Sequence, residues 1–264
     1  MAVRSNARSW DGYVQHFHEE RAGITERVLR RCLADGQSPY EWCAEALKDG
    51  GPVLDLACGS GPMADHTSRW FGTDRSGAEL GAARSLGRGP LVRADAGALP
   101  VRSASVTCAV CSMGLQVVEP LGTALGELGR VLTPGGQAVA LVPAGGPLGW
   151  RDALAYVRLQ VALRTRIRYP NGPQLAPGAV AAALELVQLR IVTDEQRAFG
   201  LSLRAAEDVA TLVTSLYLPD VDPPRVAAAR RVLARRISTD LAVPLRRLVL
   251  ESTVPSVRTR SEGA

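Results

Sequence analysis

A short apolar run that ends in closely spaced glycines, V-L-D-L-A-C-G-S-G-P-M-A at residues 53–64, places the tightest constraint on the fold of this chain. Because four residues are too few for a helix, Val53–Leu56 is predicted to be a buried strand followed by a tight turn. Gly59 and Gly61 lack a Cβ, so the turn can adopt positive φ and a ligand can approach its backbone closely. Asp55 lies inside this strand, where a buried carboxylate needs a partner that a cationic ligand group would supply.

Predicted strands and helices alternate after this turn. Six further runs are predicted to be strands, namely 70–73, 91–93, 106–112, 137–142, 191–203 and 241–251. Strands separated by helices form parallel βαβ units, so the sequence predicts an α/β fold with a doubly wound, mostly parallel, seven-stranded sheet and helices on both faces, as in Rossmann-like proteins. Ligands on such sheets bind beyond the carboxyl ends of the strands, where Asp74 and Asp95 are expected to lie with the glycines.

The chain is predicted to form a single domain over 1–264. Helices over 9–33 and 39–48 would make an N-terminal helical lid, and a helix over 150–168 would make an insertion after strand five. The predicted segments are the lid 1–49, a ligand-binding core 50–145, the helical insertion 146–175, the C-terminal part of the core 176–251 and a disordered tail 252–264.

An aromatic stripe on the predicted N-terminal helix has two interpretations. Trp10, Tyr13 and Phe17 recur at helical spacing, so this face either packs against the body of the protein or covers a ligand with Tyr13 or a histidine facing inward. His16 and His18 are two residues apart, so on a helix they point in different directions and cannot both serve one atom.

Charge and cysteine content restrict the environment of the chain. The net charge of +5 permits contact with nucleic acid or a membrane surface but does not require it. The five cysteines follow no apolar leader, which predicts reduced thiols in a cytoplasmic protein. Cys108 and Cys111 are three residues apart on a predicted strand and would point to opposite faces, so no metal site is predicted. No apolar run is long enough to span a membrane.

The glycine turn could serve two kinds of cofactor. Residues 59–64 read G-S-G-P-M-A and, with Asp74 downstream, fit the fingerprint of a dinucleotide site. Asp55 would repel a pyrophosphate, and Pro62 removes one N–H from the turn. These two residues favour a zwitterionic, phosphate-free ligand, and an NAD-dependent protein remains the alternative.

Four motifs in the same order resemble those of the class I S-adenosylmethionine-dependent methyltransferases, of the bacterial small-molecule type. They are V-L-D-L-A-C-G-S-G (53–61), F-G-T-D-R-S (71–76), R-A-D-A-G-A-L-P (93–100) and L-G-E-L-G-R-V-L-T-P-G-G-Q-A-V-A-L-V (125–142). Four motifs in order are far more specific than any one of them. The resemblance covers roughly residues 50–145 and implies S-adenosylmethionine as the cofactor.

The resemblance also implies roles for individual residues. Asp55 and the backbone of 57–61 would hold the methionine portion, Asp74 the ribose hydroxyls, and Asp95 and Ala96 the adenine. The cofactor contacts expected in total are Asp55, Ala57, Gly59, Gly61, Asp74, Arg75, Asp95, Ala96, Cys111 and Tyr13. The chain departs from the family at Ala57, where a glycine is usual, and at Gln116, where many relatives carry a histidine. No base is evident beside strand four, so His16 and His18 are the candidates for catalysis.

The sequence therefore predicts methyl transfer to a small molecule in bacterial secondary or cofactor metabolism. Five arginines of the predicted insertion would either be solvated or bind an acidic or carrier-bound acceptor, namely Arg151, Arg158, Arg164, Arg166 and Arg168. The alternatives are an RNA or protein methyltransferase, for which aromatic stacking platforms are missing, and a non-methylating or NAD-dependent protein on the same fold. Neither a membrane nor a nucleic acid is the expected partner.

Overall fold

One eight-stranded sheet organises the residues that the computed structural model describes, which are 9–48, 51–146 and 148–255. Its strands are β1 (Cys32–Leu33), β2 (Val53–Leu56), β3 (Trp70–Asp74), β4 (Leu91–Arg93), β5 (Val106–Ser112), β6 (Leu132–Pro143), β7 (Leu189–Leu203) and β8 (Thr239–Ser252). Their spatial order is β1-β7-β8-β6-β5-β2-β3-β4. Strands β2 to β6 pair in parallel, whereas β8 is antiparallel to both of its neighbours. The predicted doubly wound, mostly parallel sheet is confirmed.

Helices connect and cover these strands. They are α1 (Trp10–Glu20), α2 (Ile24–Leu29), α3 (Pro39–Glu45), α4 (Gly77–Ser85), α5 (Leu121–Val131), α6 (Trp150–Leu163), α7 (Ala179–Glu185), α8 (Ala206–Ser215) and α9 (Pro223–Ala234), with a 3₁₀ helix over Pro62–His66. Within the described ranges, none of the helices combines the length and the hydropathy that a membrane crossing requires.

The N-terminal region departs from the sequence prediction in two ways. The helix predicted over 9–33 is broken into α1 and α2, because Gly23 adopts a left-handed conformation with φ of 73° that a helix interior does not accept. The chain then forms β1, which pairs antiparallel with β7 at Cys32 and Leu201. The predicted count of seven strands is therefore wrong by this two-residue edge strand, which is too short to show a pattern.

The helix predicted to reach residue 168 also ends early. Arg164 takes a left-handed conformation with φ of 53° and terminates α6 after Leu163. The arginines at 164, 166 and 168 consequently follow the helix instead of extending it. The predicted turn at 49–50 and the part of the predicted tail at 256–264 lie outside the described residues.

The sheet separates two apolar cores. Cys108 packs with Trp42 and Phe199 on one face, and Cys111 packs with Leu125 on the other. The two thiols therefore lie on opposite faces, as predicted from their spacing, and all five cysteines are buried and free. A third cluster, which includes Phe17 of α1, joins the lid to the loops above the sheet.

Candidate active site

An open cleft lies at the carboxyl ends of the parallel strands, where the sheet topology predicted a ligand site. Its empty space is about 910 Å³ with the mouth included. The predicted residues that line it are Ala57, Gly59, Asp74, Arg75, Asp95, Ala96 and His18. Asp55, Gly61, Cys111, Tyr13 and His16 do not line it.

The turn after β2 depends on left-handed backbone at three positions. Ala57, Gly59 and Gly61 have φ of 52°, 55° and 74°. Ala57 thus adopts the conformation that a glycine usually provides, which is uncommon for a residue with a Cβ. A Cβ at Gly61 would lie 3.0 Å from the ring of Trp70, so Gly61 allows close packing beneath the cleft instead of facing it.

Asp55 lies beneath this turn, and its side chain is fully buried. Its Oδ2 accepts a hydrogen bond of 3.0 Å from the indole N–H of Trp70, whereas its Oδ1 has no partner among the described residues. Burial raises the pKa of Asp55 to about 8, a rise that the Trp70 hydrogen bond opposes and the nearby Asp74 increases. A buried acceptor without a partner fits a cationic ligand group such as an ammonium, which would favour the ionised carboxylate.

Asp74 connects two turns at the end of β3. One carboxylate oxygen accepts from the Gly59 N–H and the other from the Ser76 N–H, each at 2.8 Å. Burial raises the pKa of Asp74, and these two backbone hydrogen bonds oppose the rise. Asp95 is more open, since its carboxylate is exposed and accepts only from the Gly97 N–H at 2.7 Å. Both side chains therefore present acceptors to the cleft.

Arg75 fastens the lid to the rim of the cleft. Its guanidinium pairs with the carboxylate of Asp11 in α1 and donates at 3.3 Å to the Asp11 carbonyl oxygen. Arg75 therefore lines the cleft but already binds Asp11 of the lid. Its contact with a cofactor stays a prediction.

A buried ion cluster holds α2 against the glycine turn. Arg88, whose side chain is 6% exposed, donates to both carboxylate oxygens of Glu26 at 2.8 Å, to the Ser60 carbonyl oxygen at 2.6 Å and to Asp65 at 2.8 Å. Burial acts to raise the pKa of Glu26, but the hydrogen bonds from Arg88 and Ser60 leave it lowered. Sequence analysis missed this cluster because its members come from separate segments with no shared motif.

A second polar cluster, Glu79–His18–Tyr217, bridges the lid and the core. Glu79 accepts at 2.7 Å from Nδ1 of His18 and at 2.9 Å from the Gly23 N–H. The other ring nitrogen, Nε2, lies 2.8 Å from the hydroxyl of Tyr217. Since a carboxylate accepts hydrogen bonds, the ring proton lies on Nδ1 and leaves Nε2 as an acceptor. Sequence analysis found only the histidine of this cluster.

His16, the other predicted catalytic residue, lies elsewhere. Its side chain is exposed on the outer face of α1, with Nε2 3.1 Å from Glu20. Tyr13 has a different task, since its hydroxyl accepts at 2.8 Å from the Leu218 N–H and holds the loop after α8. The aromatic face of α1 packs on the body of the protein, while His18 alone of the two histidines faces the cleft.

An apolar cavity adjoins the cleft and shares Thr25 and Met113 with it. Its empty space is about 1400 Å³, again with the mouth included. Tyr217, Tyr156, Tyr169 and Gln116 supply polar atoms to a lining that is otherwise mostly aliphatic, and none of its described lining residues is charged. Gln116 donates to the Met113 carbonyl oxygen at 2.7 Å, while its buried Oε1 has no partner among the described residues.

The arginines considered as acceptor ligands lie outside both cavities. Arg151 and Arg158 on α6, and Arg164, Arg166 and Arg168 after it, are all exposed, and none lines the cleft or the cavity. This placement argues against the interpretation in which these arginines bind the acceptor.

Comparison with known families agrees with this arrangement. Residues 54–140 match a family model described as a methyltransferase domain. The matched range contains the strands and turns that form the cleft, and the sheet has the Rossmann-like order of such domains. Over these residues the core of the chain resembles a methyltransferase domain.

Two curated relatives are named for methyl transfer to different acceptors. A malonyl-[acyl-carrier protein] O-methyltransferase of Alcanivorax borkumensis is 32% identical over 145 residues, 51% of this chain and 48% of the relative. A 2-phytyl-1,4-naphtoquinone methyltransferase of Synechococcus elongatus is 36% identical over 110 residues, 36% of this chain and 47% of the relative. The chain thus spans about half the length of the curated relatives that it matches.

Among solved structures, the [4+2]-cyclase SpnF aligns with a TM-score of 0.59 at 20% identity, over 94% of this chain and 98% of that one. At this identity the similarity concerns the fold alone.

Proposed function

We propose that this protein transfers a methyl group from S-adenosylmethionine to a neutral, mainly apolar small molecule. The observation that supports this most directly is the junction of the two cavities. A cleft with carboxylates at strand ends adjoins an uncharged apolar cavity, and the His18–Tyr217 pair spans the junction. Such a junction places a polar donor and an apolar acceptor side by side.

The residues of the cleft, together with Asp55 buried beneath its glycine turn, fit the cofactor. Asp55 and the turn that follows it would hold the methionine portion, Asp74 the ribose hydroxyls, and Asp95 with the Ala96 N–H the adenine. The unpartnered Oδ1 of Asp55 supports the first assignment, because an ammonium group would satisfy it. When bound, S-adenosylmethionine supplies an electrophilic methyl group on a sulfonium. The chain itself then has to align the acceptor and exclude water.

His18 is the proposed base. Glu79 holds the ring with its proton on Nδ1, so Nε2 is free to accept a proton. Burial raises the pKa of Tyr217 far above the usual range, so the phenol stays protonated. An acceptor hydroxyl in the apolar cavity passes its proton to the Tyr217 oxygen, while the Tyr217 proton moves to Nε2 of His18. The acceptor oxygen is thereby made nucleophilic without a charged residue in the cavity.

The cavity lining favours a neutral acceptor. The two curated relatives are named for a carrier-bound acid and for a phytylated quinone, and the uncharged lining of this chain fits the second chemistry better. A bound carboxylate would need a cation, and the arginines of the insertion lie outside. Placement in bacterial secondary or cofactor metabolism rests on the relatives and on the family resemblance.

The test is methyl transfer from S-[methyl-³H]-adenosylmethionine to two sets of acceptors of equal size, lipophilic phenols or hydroquinones and the matching carboxylic acids. We expect label only in the neutral set, and only with a functional His18. Label in the acids alone would refute the acceptor class. Absence of label together with absence of S-adenosylhomocysteine binding would refute the methyltransferase assignment.

A further inference from the structure

Four apolar side chains form an exposed stripe along the outer face of α6. Trp150, Leu154, Val157 and Val161 are 72%, 37%, 55% and 70% exposed. Their spacing of four, three and four residues keeps them on one side of the helix, since successive residues turn by about 100°. Apolar side chains scattered singly on a surface need no explanation, but a continuous row on one helix does.

The opposite face of α6 is already used by the fold. Ala155, Leu159 and Leu163 are buried, and Leu159 lines the apolar cavity together with Tyr156. The helix is therefore a wall with the cavity on its inner side. The outer stripe, named here the α6 stripe, is not needed for this packing.

Positive charge borders the α6 stripe. Arg151 and Arg158 flank it on one side of the helix, Arg164 and Arg166 follow its end, and all four are exposed. The Arg151 guanidinium lies 5.3 Å from the centre of the Trp150 ring. Acidic charge is scarce, because Asp152 is the only acidic residue of α6 and it pairs with Arg236 at 2.7 Å on the inner side.

We propose that the α6 stripe and its flanking arginines dock on an anionic lipid surface, with α6 lying in the plane of the interface. An apolar row with an aromatic residue, bordered by arginines, is the pattern of an interfacial helix. Arginine stems can reach along such a surface and place their charges among anionic headgroups.

A second copy of the chain fits this face less well. An antiparallel, two-fold pairing of the two stripes would bring like flanks together, so the rows of arginines would face each other without carboxylates between them. The lipid assignment differs from the expectation from the sequence that no membrane is a partner, because the sequence does not show that the apolar row beside the arginines is exposed. It is independent of the proposed methyl transfer, since no residue of the stripe lines the cleft or the cavity.

The test is co-sedimentation of the full chain with phosphatidylcholine vesicles that contain or lack 30% phosphatidylglycerol. We expect binding to the anionic vesicles, with a roughly tenfold loss in 0.5 M salt and in pure phosphatidylcholine. The variant Trp150→Ser/Val157→Ser/Val161→Ser should bind at least about tenfold more weakly. The matched control is Leu186→Ser, an exposed apolar residue (87%) outside α6, which should bind like the wild type.

Tryptophan fluorescence supplies a second readout. Trp150 is the most exposed of the four tryptophans, since Trp42 and Trp70 are 5% and 6% exposed and Trp10 is half-buried. A blue shift on adding anionic vesicles should therefore come from Trp150 and disappear in Trp150→Phe. Unchanged binding of the triple variant would overturn the proposal, as would absence of binding to anionic vesicles. A vesicle-independent dimer that the triple variant breaks would also overturn it, in favour of a second copy.

Discussion

The cleft and the apolar cavity lie next to each other but are built in opposite ways. The cleft is formed mainly by the ends of successive strands and the turns that follow them, so many of its residues come from short continuous stretches such as 57–60 and 73–76. The cavity is assembled from α2, α6, α8, β8 and the loops between them. Short sequence motifs thus form most of the proposed donor site, whereas the proposed acceptor site forms only when segments distant in the sequence pack together.

The largest effect on stability is expected at the buried Arg88–Glu26 ion pair, which joins α2 to the glycine turn. Arg88→Met should lower the free energy of unfolding by about 3 kcal/mol, because Glu26 would lose its buried guanidinium partner and keep only the half-exposed Arg30 and the Ser60 hydroxyl. Chemical denaturation measures this loss. Arg30→Met is the control, since Arg30 is 45% exposed and its ion pairs should contribute less than about 1 kcal/mol.

Addition of Glu26→Gln to Arg88→Met should recover part of the lost stability, because the buried charge that lost its main partner is then removed. A double variant as unstable as Arg88→Met would show that the cluster does not act through the buried charge, and that lid and turn are fastened in another way.

Removal of the base tests the junction itself. His18→Ala should reduce kcat roughly 100-fold and leave the affinity for S-adenosylhomocysteine, measured by calorimetry, within a factor of about two. Tyr217→Phe should show a similar fall in kcat, because it interrupts the same proton path. His16→Ala is the matched control on the same helix and should behave like the wild type. A parallel loss of cofactor affinity in His18→Ala would assign His18 to the donor site instead.

The pH dependence of S-adenosylhomocysteine binding tests the proposed contact between Asp55 and the ammonium group. The pKa of Asp55 is raised by burial to about 8, so a bound ammonium would have to displace a proton below that pH. The affinity for S-adenosylhomocysteine should therefore rise about tenfold from pH 6 to pH 7 and level off above pH 8. In Asp55→Asn the pH dependence should disappear and the affinity should be low throughout. A flat profile in the wild type would remove Asp55 from the ammonium site.

The raised pKa of Asp55 also affects stability: a rise in pH that strengthens ligand binding should weaken the fold. Because the folded pKa of Asp55 lies above its unfolded value, its ionisation destabilises the fold progressively as the pH rises from about 4 to about 8. Asp55→Asn should therefore be at least as stable as the wild type at pH 8. Such a loss of stability is expected of a residue that is kept for ligand binding, as proposed for Asp55.

The smallest effect is expected on the lid side of the cavity. Tyr13→Phe removes the acceptor for the Leu218 N–H and should lower the free energy of unfolding by about 1 kcal/mol. Thermal or chemical denaturation measures it. Cofactor affinity should not change, because Tyr13 does not line the cleft; a marked change would restore Tyr13 to the cofactor contacts that the sequence predicted.

The difference between local motifs and tertiary packing also explains which features the sequence predicted correctly. The bounds of β2, β4 and β5 agree with the prediction because short apolar runs between glycine-rich or polar turns are local signals. The opposite orientation of Cys108 and Cys111 followed from strand geometry alone. Asp74 and Asp95 were placed at the cleft by their position after strands, which topology then brings to one edge.

Other features of the site depend on tertiary packing and could not be predicted from the sequence. Glu79 is an ordinary polar position of α4, and Tyr217 lies in a loop some 200 residues from His18, so neither could be linked to it by spacing. The break at Gly23 was hidden because its neighbours continue the helical pattern. The exposure of the α6 stripe could not be predicted, because the sequence does not show which side of a helix the body of the protein covers.

The proposed function depends on a cleft that binds a methyl donor and on contact of Asp55 with the ammonium group of that donor. It is tested most directly by calorimetry of S-adenosylhomocysteine and of NAD⁺ at pH 7 in buffers of different ionisation enthalpy. We expect binding of S-adenosylhomocysteine with release of close to one proton, and no binding of NAD⁺. Binding of NAD⁺ without S-adenosylhomocysteine would contradict the donor assignment, and binding of S-adenosylhomocysteine without proton release would contradict the role of Asp55.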